Sequence, residues 1–214
     1  MARLNRLHWE AVPAPVSALL RGLSGVLEPM ELYLAGGTAL ALQLGHRISQ
    51  DLDLFSPSFA DPEALFAALR GRYPSAVATL VEERTLYADV DGWIVSCFGY
   101  DYPLLEPLVR VEPAIVPLAH LDDIAAMKLA AIASRGSRKD FIDLWTLVTR
   151  GRPLSWHLDR YRVKFAGHDT GHVVRSLTYF DDAEGEPPLQ LLADIDWPTV
   201  KSDLIRWTRE LLGA

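Results

Sequence analysis

The chain has a single cysteine, Cys97, so no disulfide can form within it, and a reducing compartment suits it best. It has no apolar run approaching the ~20 residues that a membrane-spanning helix needs. Its start, Met1 to Trp9, is basic but short and carries no apolar segment of the kind found in a secretory leader. The expectation is a cytoplasmic protein without a membrane partner. Positive charge is not in excess: 21 Lys and Arg face 28 Asp and Glu, and the net charge of −7 argues against indiscriminate binding to nucleic acid through the overall field. A local basic patch is still available from Arg135–Lys139 and Arg150–Lys164. Internal repeats and low-complexity segments are absent. What remains is ordinary for a globular protein: with 50% hydrophobic and 23% charged residues, 214 residues suffice for one large domain or two small lobes.

The hydrophobic pattern divides the chain. Val16, Leu19, Leu20, Leu23 and Leu27 recur at helical spacing after Pro13 and Pro15, which predicts an amphipathic helix ending near Glu28-Pro29. Leu32 to Ala35 predicts a strand, Thr38 to Leu44 a helix, and Leu52 to Phe55 a second strand. Asp61-Pro62-Glu63 opens another helix, with Asp61 as the N-cap and Pro62 at the first helical position. Val77–Glu82, Thr85–Val90 and Trp93–Phe98 are β-rich, with Asp91-Gly92 as a hairpin turn, and Val109–Ile115 is a candidate last strand. Beyond Val116-Pro117 the segments 121–134, 139–150, 155–165, 172–180 and 200–212 read as helices, and Asp181–Pro188 as an acidic loop. The expected organisation is α+β: residues 1–117 form a small mixed sheet with flanking helices, and 118–214 a helical lobe.

Chemistry concentrates in Leu34-Ala-Gly36-Gly37-Thr38 and, fourteen residues after Gly37, Asp51-Leu52-Asp53. Residues two apart on a strand share a face, so Asp51 and Asp53 aim together. Paired carboxylates repel unless a cation lies between them, and hard oxygen ligands suit Mg²⁺ with substrate phosphates completing its shell. A glycine pair before a helix lets a phosphate approach the amide groups at the helix start. Either half alone fits an ordinary turn or strand edge; the combination favours a site. In the helical half, Lys128 lies on the stripe of Ile124, Met127, Ala131 and Ile132, with Arg135 seven residues on. A lysine there either snorkels past the stripe or meets an anion. Asp140 falls at the edge of the face made by Phe141, Leu144, Trp145 and Val148, while Asp143 is expected to point away from it; both also suit a first helical turn electrostatically.

These motifs carry a family resemblance. Leu34–Leu42 with His46-Arg-x-Ser-x-Asp-Leu-Asp-Leu-Phe55, then Lys128–Arg135, Lys139–Leu144 and Leu177–Glu184, resembles the AbiEii/AbiGii-type nucleotidyltransferase toxins of type IV toxin–antitoxin systems, over about residues 30 to 210. The resemblance implies the nucleotidyltransferase fold and transfer of a nucleoside monophosphate from an NTP to an acceptor hydroxyl, RNA (tRNA) being one acceptor class. It implies Asp51 and Asp53 as Mg²⁺ ligands, and Gly36, Gly37 and Thr38 as phosphate contacts. It further implies Lys128, with Arg135, as cations on the triphosphate, Asp140 as a helper to the metal or acceptor, a cleft between the lobes as the nucleotide site, and a cognate antitoxin as partner. Many members of the superfamily carry a third carboxylate on a later strand, where Ser96 stands here; Asp89, Asp91 and Asp101 fall at strand ends or in the turn. Two rival readings stay open: the same chemistry on a small molecule or protein, and a degenerate nucleotide-binding module without catalysis. His168 and His172 lack a third metal ligand, Cys97 reads as core, and the six tryptophans read as packing.

Overall fold

The computed structural model describes residues 6–111 and 116–213, and the chain divides into two units: residues 1–103 with 107–119, and residues 104–106 with 120–214. Leu104–Glu106 belongs with the helical unit, and residues 107–119 with the first.

The first unit is built on five strands in the order β1-β2-β5-β4-β3: β1 (Tyr33–Leu34), β2 (Leu52–Ser56), β3 (Val77–Glu82), β4 (Thr85–Val90) and β5 (Trp93–Gly99). Only β2 and β5 run parallel; the other neighbours are antiparallel. The Asp91-Gly92 turn has both residues at positive φ (55° and 86°), as a tight two-residue hairpin requires. Along β2 the leucines alternate inward, Leu52 and Leu54 fully buried and Asp53 and Phe55 half-buried, so the period-2 pattern decides which face carries the aspartate. Three helices flank the sheet: α1 (Ala14–Leu27), α2 (Gly36–Leu44) and α3 (Pro62–Arg72). The five apolar residues predicted for α1 are all buried, and Asp61 caps α3 by accepting from the Ala64 amide at 2.8 Å. The strand expected at 109–115 reduces, in its described part, to a bridge of Val109 with Leu118; residues 112–115 lie outside the described residues. Leu118 also bridges Leu34, so this segment covers the outer edge of β1.

The second unit contains α4 (Leu121–Arg135), α5 (Arg138–Arg150), α6 (Leu154–Lys164), α7 (Thr170–Ser176), the single turn α8 (Asp181–Glu184) and α9 (Trp197–Leu212). The acidic loop expected at 181–188 therefore opens with a helical turn. Its three acids sit where the helix dipole favours them, and Arg138 donates to the Ala183 and Glu184 carbonyls. Phe141, Phe180 and Trp197 pack with ring centroids 5.0–6.0 Å apart and join α5, α8 and α9. Asp123 and Lys164 form a fully buried pair at 2.7 Å, and Asp123 also accepts from the Leu105 and Glu106 amides. These bonds, with Arg160 on the Leu105 carbonyl, hold residues 104–106 in this unit.

Candidate active site

In the first unit the chain leaves β1 through Ala35, whose amide donates to the Asp53 carbonyl at 3.0 Å, and turns at once into α2. Gly36 makes that turn at φ +66°, a region that costs an L side chain roughly 1–2 kcal/mol. A Cβ on Gly36 would lie 2.8 Å from Asp53 Oδ2, so the carboxylate rests against the glycine, beside the start of α2. That helix start takes no side-chain cap. Its first-turn amides therefore have the character of an anion site. Thr38 is buried; its hydroxyl donates to the Asp51 carbonyl at 2.6 Å and lies 2.9 Å from Ser49 Oγ. Thr38 thus ties the loop before β2 to α2, a positioning role rather than a solvent-facing phosphate contact.

Asp51 is exposed and Asp53 half-buried, one residue apart on either side of the buried Leu52, as the alternation predicts. Asp53 is in register with Ser96 on β5, and Ser96 with Tyr87 on β4. The position expected for a third carboxylate is thus occupied by a buried hydroxyl directly beside Asp53. Cys97, next along β5, is buried; burial pushes its thiol far up, and the Asp53 charge adds to that, which makes it an inert core group. Asp101 is committed elsewhere, to the Arg84 guanidinium at 2.6 Å. Among the described residues no group of three His, Cys, Asp or Glu side chains is set to hold a metal. The chemistry of two nearby carboxylates, Asp51 and Asp53, does suit Mg²⁺, which takes one or two from the protein and the rest of its oxygens from phosphates and water.

The second unit brings Lys128, Arg135, Asp140 and Asp143 together. Lys128 Nζ lies 2.8 Å from Asp140 Oδ1 and 2.6 Å from Asp143 Oδ2, with both carboxylates fully buried. Arg135 grips Asp140 with two nitrogens, at 2.8 and 3.1 Å, while 55% of its side chain stays exposed. Burial alone would raise the Asp140 carboxyl; the Lys128 charge, then the bonds and charge of Arg135, outweigh it and hold the group below the usual carboxylate range. The expectation that Asp143 points away from the buried face is corrected here. Helix α5 is buried on more than one side: Phe141, Ile142, Leu144 and Leu147 are buried, while Trp145 and Val148 are only half so. One turn along the helix from Asp140, Asp143 therefore shares its side, turned toward Lys128. Lys128, expected on the triphosphate, has its ammonium set between these two aspartates. His172 Nε2 is 3.0 Å from the Ala133 carbonyl, and among the described residues no third His, Cys, Asp or Glu joins His168 and His172.

A mixed sheet with a Gly-Gly turn feeding a helix, and Asp51 and Asp53 at the start of β2, thus accompany a helical unit with paired cations and acids. The chain belongs to the family described as nucleotidyl transferase AbiEii toxin, type IV TA system, whose profile matches residues 18–93 and 98–206. An uncharacterized protein of Aquifex aeolicus is 36% identical over 189 residues, covering 85% of this chain and 88% of that one. The fold is shared with JHP933 from Helicobacter pylori (TM-score 0.59, 18% identity, 94% and 93% of the two chains). It is shared likewise with MenT4, a nucleotidyltransferase toxin from Mycobacterium tuberculosis (TM-score 0.58, 15% identity, 91% and 87%). No helix among the described residues is long and apolar enough to cross a membrane.

Proposed function

We propose that this nucleotidyltransferase is Mg²⁺-dependent, moves a nucleoside monophosphate from an NTP to a hydroxyl of RNA with tRNA as the leading candidate, and is countered by a cognate antitoxin. The observation that carries the catalytic half of this reading is the contact of the Asp53 carboxylate with Gly36, which sets a metal ligand against the uncapped first turn of α2. Asp51 and Asp53 would hold the ion, which would offset the negative charge that develops on the transferring phosphate. The amides at Gly36–Thr38 orient the phosphates, and Thr38 keeps that turn in register with Asp51 through its carbonyl. From the helical unit, Asp140 anchors Arg135, the exposed cation we assign to the triphosphate. Lys128 keeps Asp140 and Asp143 charged and placed. Asp53→Asn and Arg135→Gln should each weaken NTP binding.

The test is incubation with α-labelled NTPs, Mg²⁺ and total RNA. Label must enter RNA, and must fail to do so with Asp51→Asn/Asp53→Asn. Retention of transfer in that variant removes the catalytic assignment, and label on a small molecule or protein instead removes the acceptor. One observation favours a second reading. Ser96 beside Asp53 leaves two carboxylates where many relatives of this fold have three, which suits a module that binds NTP without turning it over. Calorimetric NTP binding without pyrophosphate release would establish that reading.

A further inference from the structure

Within the second unit, the C-terminal end of α4 and the segment from α7 into α8 line a groove of about 410 Å³, a volume in the range of small-ligand sites. Gly136 ends α4 at φ +57°, and Asp182 Oδ2 lies 3.6 Å from where a Cβ on that glycine would stand. His172, with Nε2 3.0 Å from the Ala133 carbonyl, holds α7 to α4, so the groove has fixed walls. Three large side chains lining it stay open to water. Arg135 and Arg175 have 55% and 73% of their side chains exposed, and Tyr179 is 55% exposed.

These groups suit one kind of ligand. An aromatic ring left in water forgoes the gain from burying its apolar area, which a flat partner restores. The Asp181 and Asp182 charges push the Tyr179 hydroxyl above its usual pKa, so the ring is a neutral phenol at pH 7. Arg175 lies 3.5 Å from Asp169, and an ion pair so exposed contributes little, so the guanidinium can turn to a phosphate at small cost. An NTP whose triphosphate meets Arg135 would offer Arg175 no second phosphate, whereas a polynucleotide does. The net charge of −7 means that RNA must be held by such local contacts and not by the overall field.

We infer that this groove binds the terminal nucleotide of the RNA acceptor: Tyr179 stacks on its base, Arg175 contacts the phosphodiester, and Asp182 accepts from the ribose 2′-hydroxyl. The strand end then arrives beside Arg135. This rests on the RNA reading above and adds the place where the acceptor sits.

Filter binding of the full chain to a 5′-labelled single-stranded RNA, set beside calorimetry with NTP and Mg²⁺, tests it. Tyr179→Ala should weaken the RNA at least about tenfold, while Tyr179→Phe stays within about threefold of wild type, since the ring makes the contact. Arg175→Gln should weaken the RNA and reduce the slope of log affinity against log salt by about 0.7, the loss of one single-strand phosphate contact. Asp182→Ala should weaken the RNA but leave DNA of the same sequence unchanged, because only RNA carries the 2′-hydroxyl. NTP binding should stay within about threefold of wild type in all of them. Unchanged RNA affinity and salt slope in Tyr179→Ala and Arg175→Gln overturn the inference alone. So does weakened NTP with unchanged RNA, which would give the groove to the nucleoside of the NTP. A wild-type chain that binds NTP but labels no RNA in the transfer assay overturns the RNA reading and this inference with it.

Discussion

Replacing Lys128 with Met should be among the most damaging single changes in the helical unit. The ammonium is 4% exposed as a residue and contacts two carboxylates, both fully buried, at 2.8 and 2.6 Å. Met fills most of the same volume, so the loss is electrostatic and not a cavity. Arg135 continues to compensate Asp140, but Asp143 loses the ammonium 2.6 Å from it. Removing one partner of a buried pair costs about 3–5 kcal/mol, whereas an exposed pair contributes at most about 1 kcal/mol. The expected loss is therefore about 3–5 kcal/mol, read as a fall in the urea midpoint by circular dichroism at 222 nm with an unchanged slope. Lys128→Met/Asp143→Asn should recover at least half of it, because the surplus charge is gone. The pH dependence follows the same logic. The folded-state pKa of Asp140 lies below its unfolded value, so its stabilising contribution is complete above the unfolded pKa of about 3.9 and is lost as pH falls through the folded pKa. A Lys128→Met variant that loses less than about 1 kcal/mol, or that Asp143→Asn does not rescue, refutes this account of the cluster.

Gly36→Ala must pay a left-handed backbone cost of about 1–2 kcal/mol and move Asp53, whose Oδ2 lies 2.8 Å from the new Cβ; nucleotidyl transfer should drop at least about 100-fold with far-UV dichroism retained. His157 is buried, and burial holds its pKa below the usual value, with the Asp122 charge and the Leu147 and Arg152 carbonyls offsetting this only in part. The unfolded chain therefore binds the proton first, and stability should fall as pH drops below about 6.5, a slope that His157→Gln removes in thermal melts at pH 7.5 and 5.5. Lys164→Met leaves Asp123 buried without its 2.7 Å partner and should cost about 3–5 kcal/mol, with faster proteolysis at residues 104–106, which Asp123 holds through its bonds to two amides.

Local signals were the legible ones. Alternation across Leu52–Phe55 marked Leu52 and Leu54 as buried with Asp53 between them, Asp61-Pro62 marked the start of α3, and Asp91-Gly92 marked the hairpin, because each depends on backbone geometry within a few residues. Ser96 was pointed to only by the family resemblance, and it pairs in register with Asp53. Asp143 was not, because a single-stripe wheel assumes one buried side and α5 has more than one. Nor was the Asp123–Lys164 pair, whose members are 41 residues apart and whose residue types ordinarily sit at the surface. Arg47 lay in plain view within the motif, but its burial against Gly37 depends on how the loop folds back, which no spacing encodes.

The central claim is that Asp51 and Asp53 hold the metal for nucleotidyl transfer to RNA. The direct measurement is label from α-³²P NTPs entering RNA with Mg²⁺ present, for wild type, Asp53→Asn and Asp51→Asn/Asp53→Asn at matched folded concentration. The account predicts transfer by wild type, abolished by chelation and reduced at least about 1000-fold in the double variant, roughly 4 kcal/mol of lost transition-state stabilisation. Transfer by the double variant at a wild-type rate, or wild-type transfer that persists without divalent metal, would contradict it.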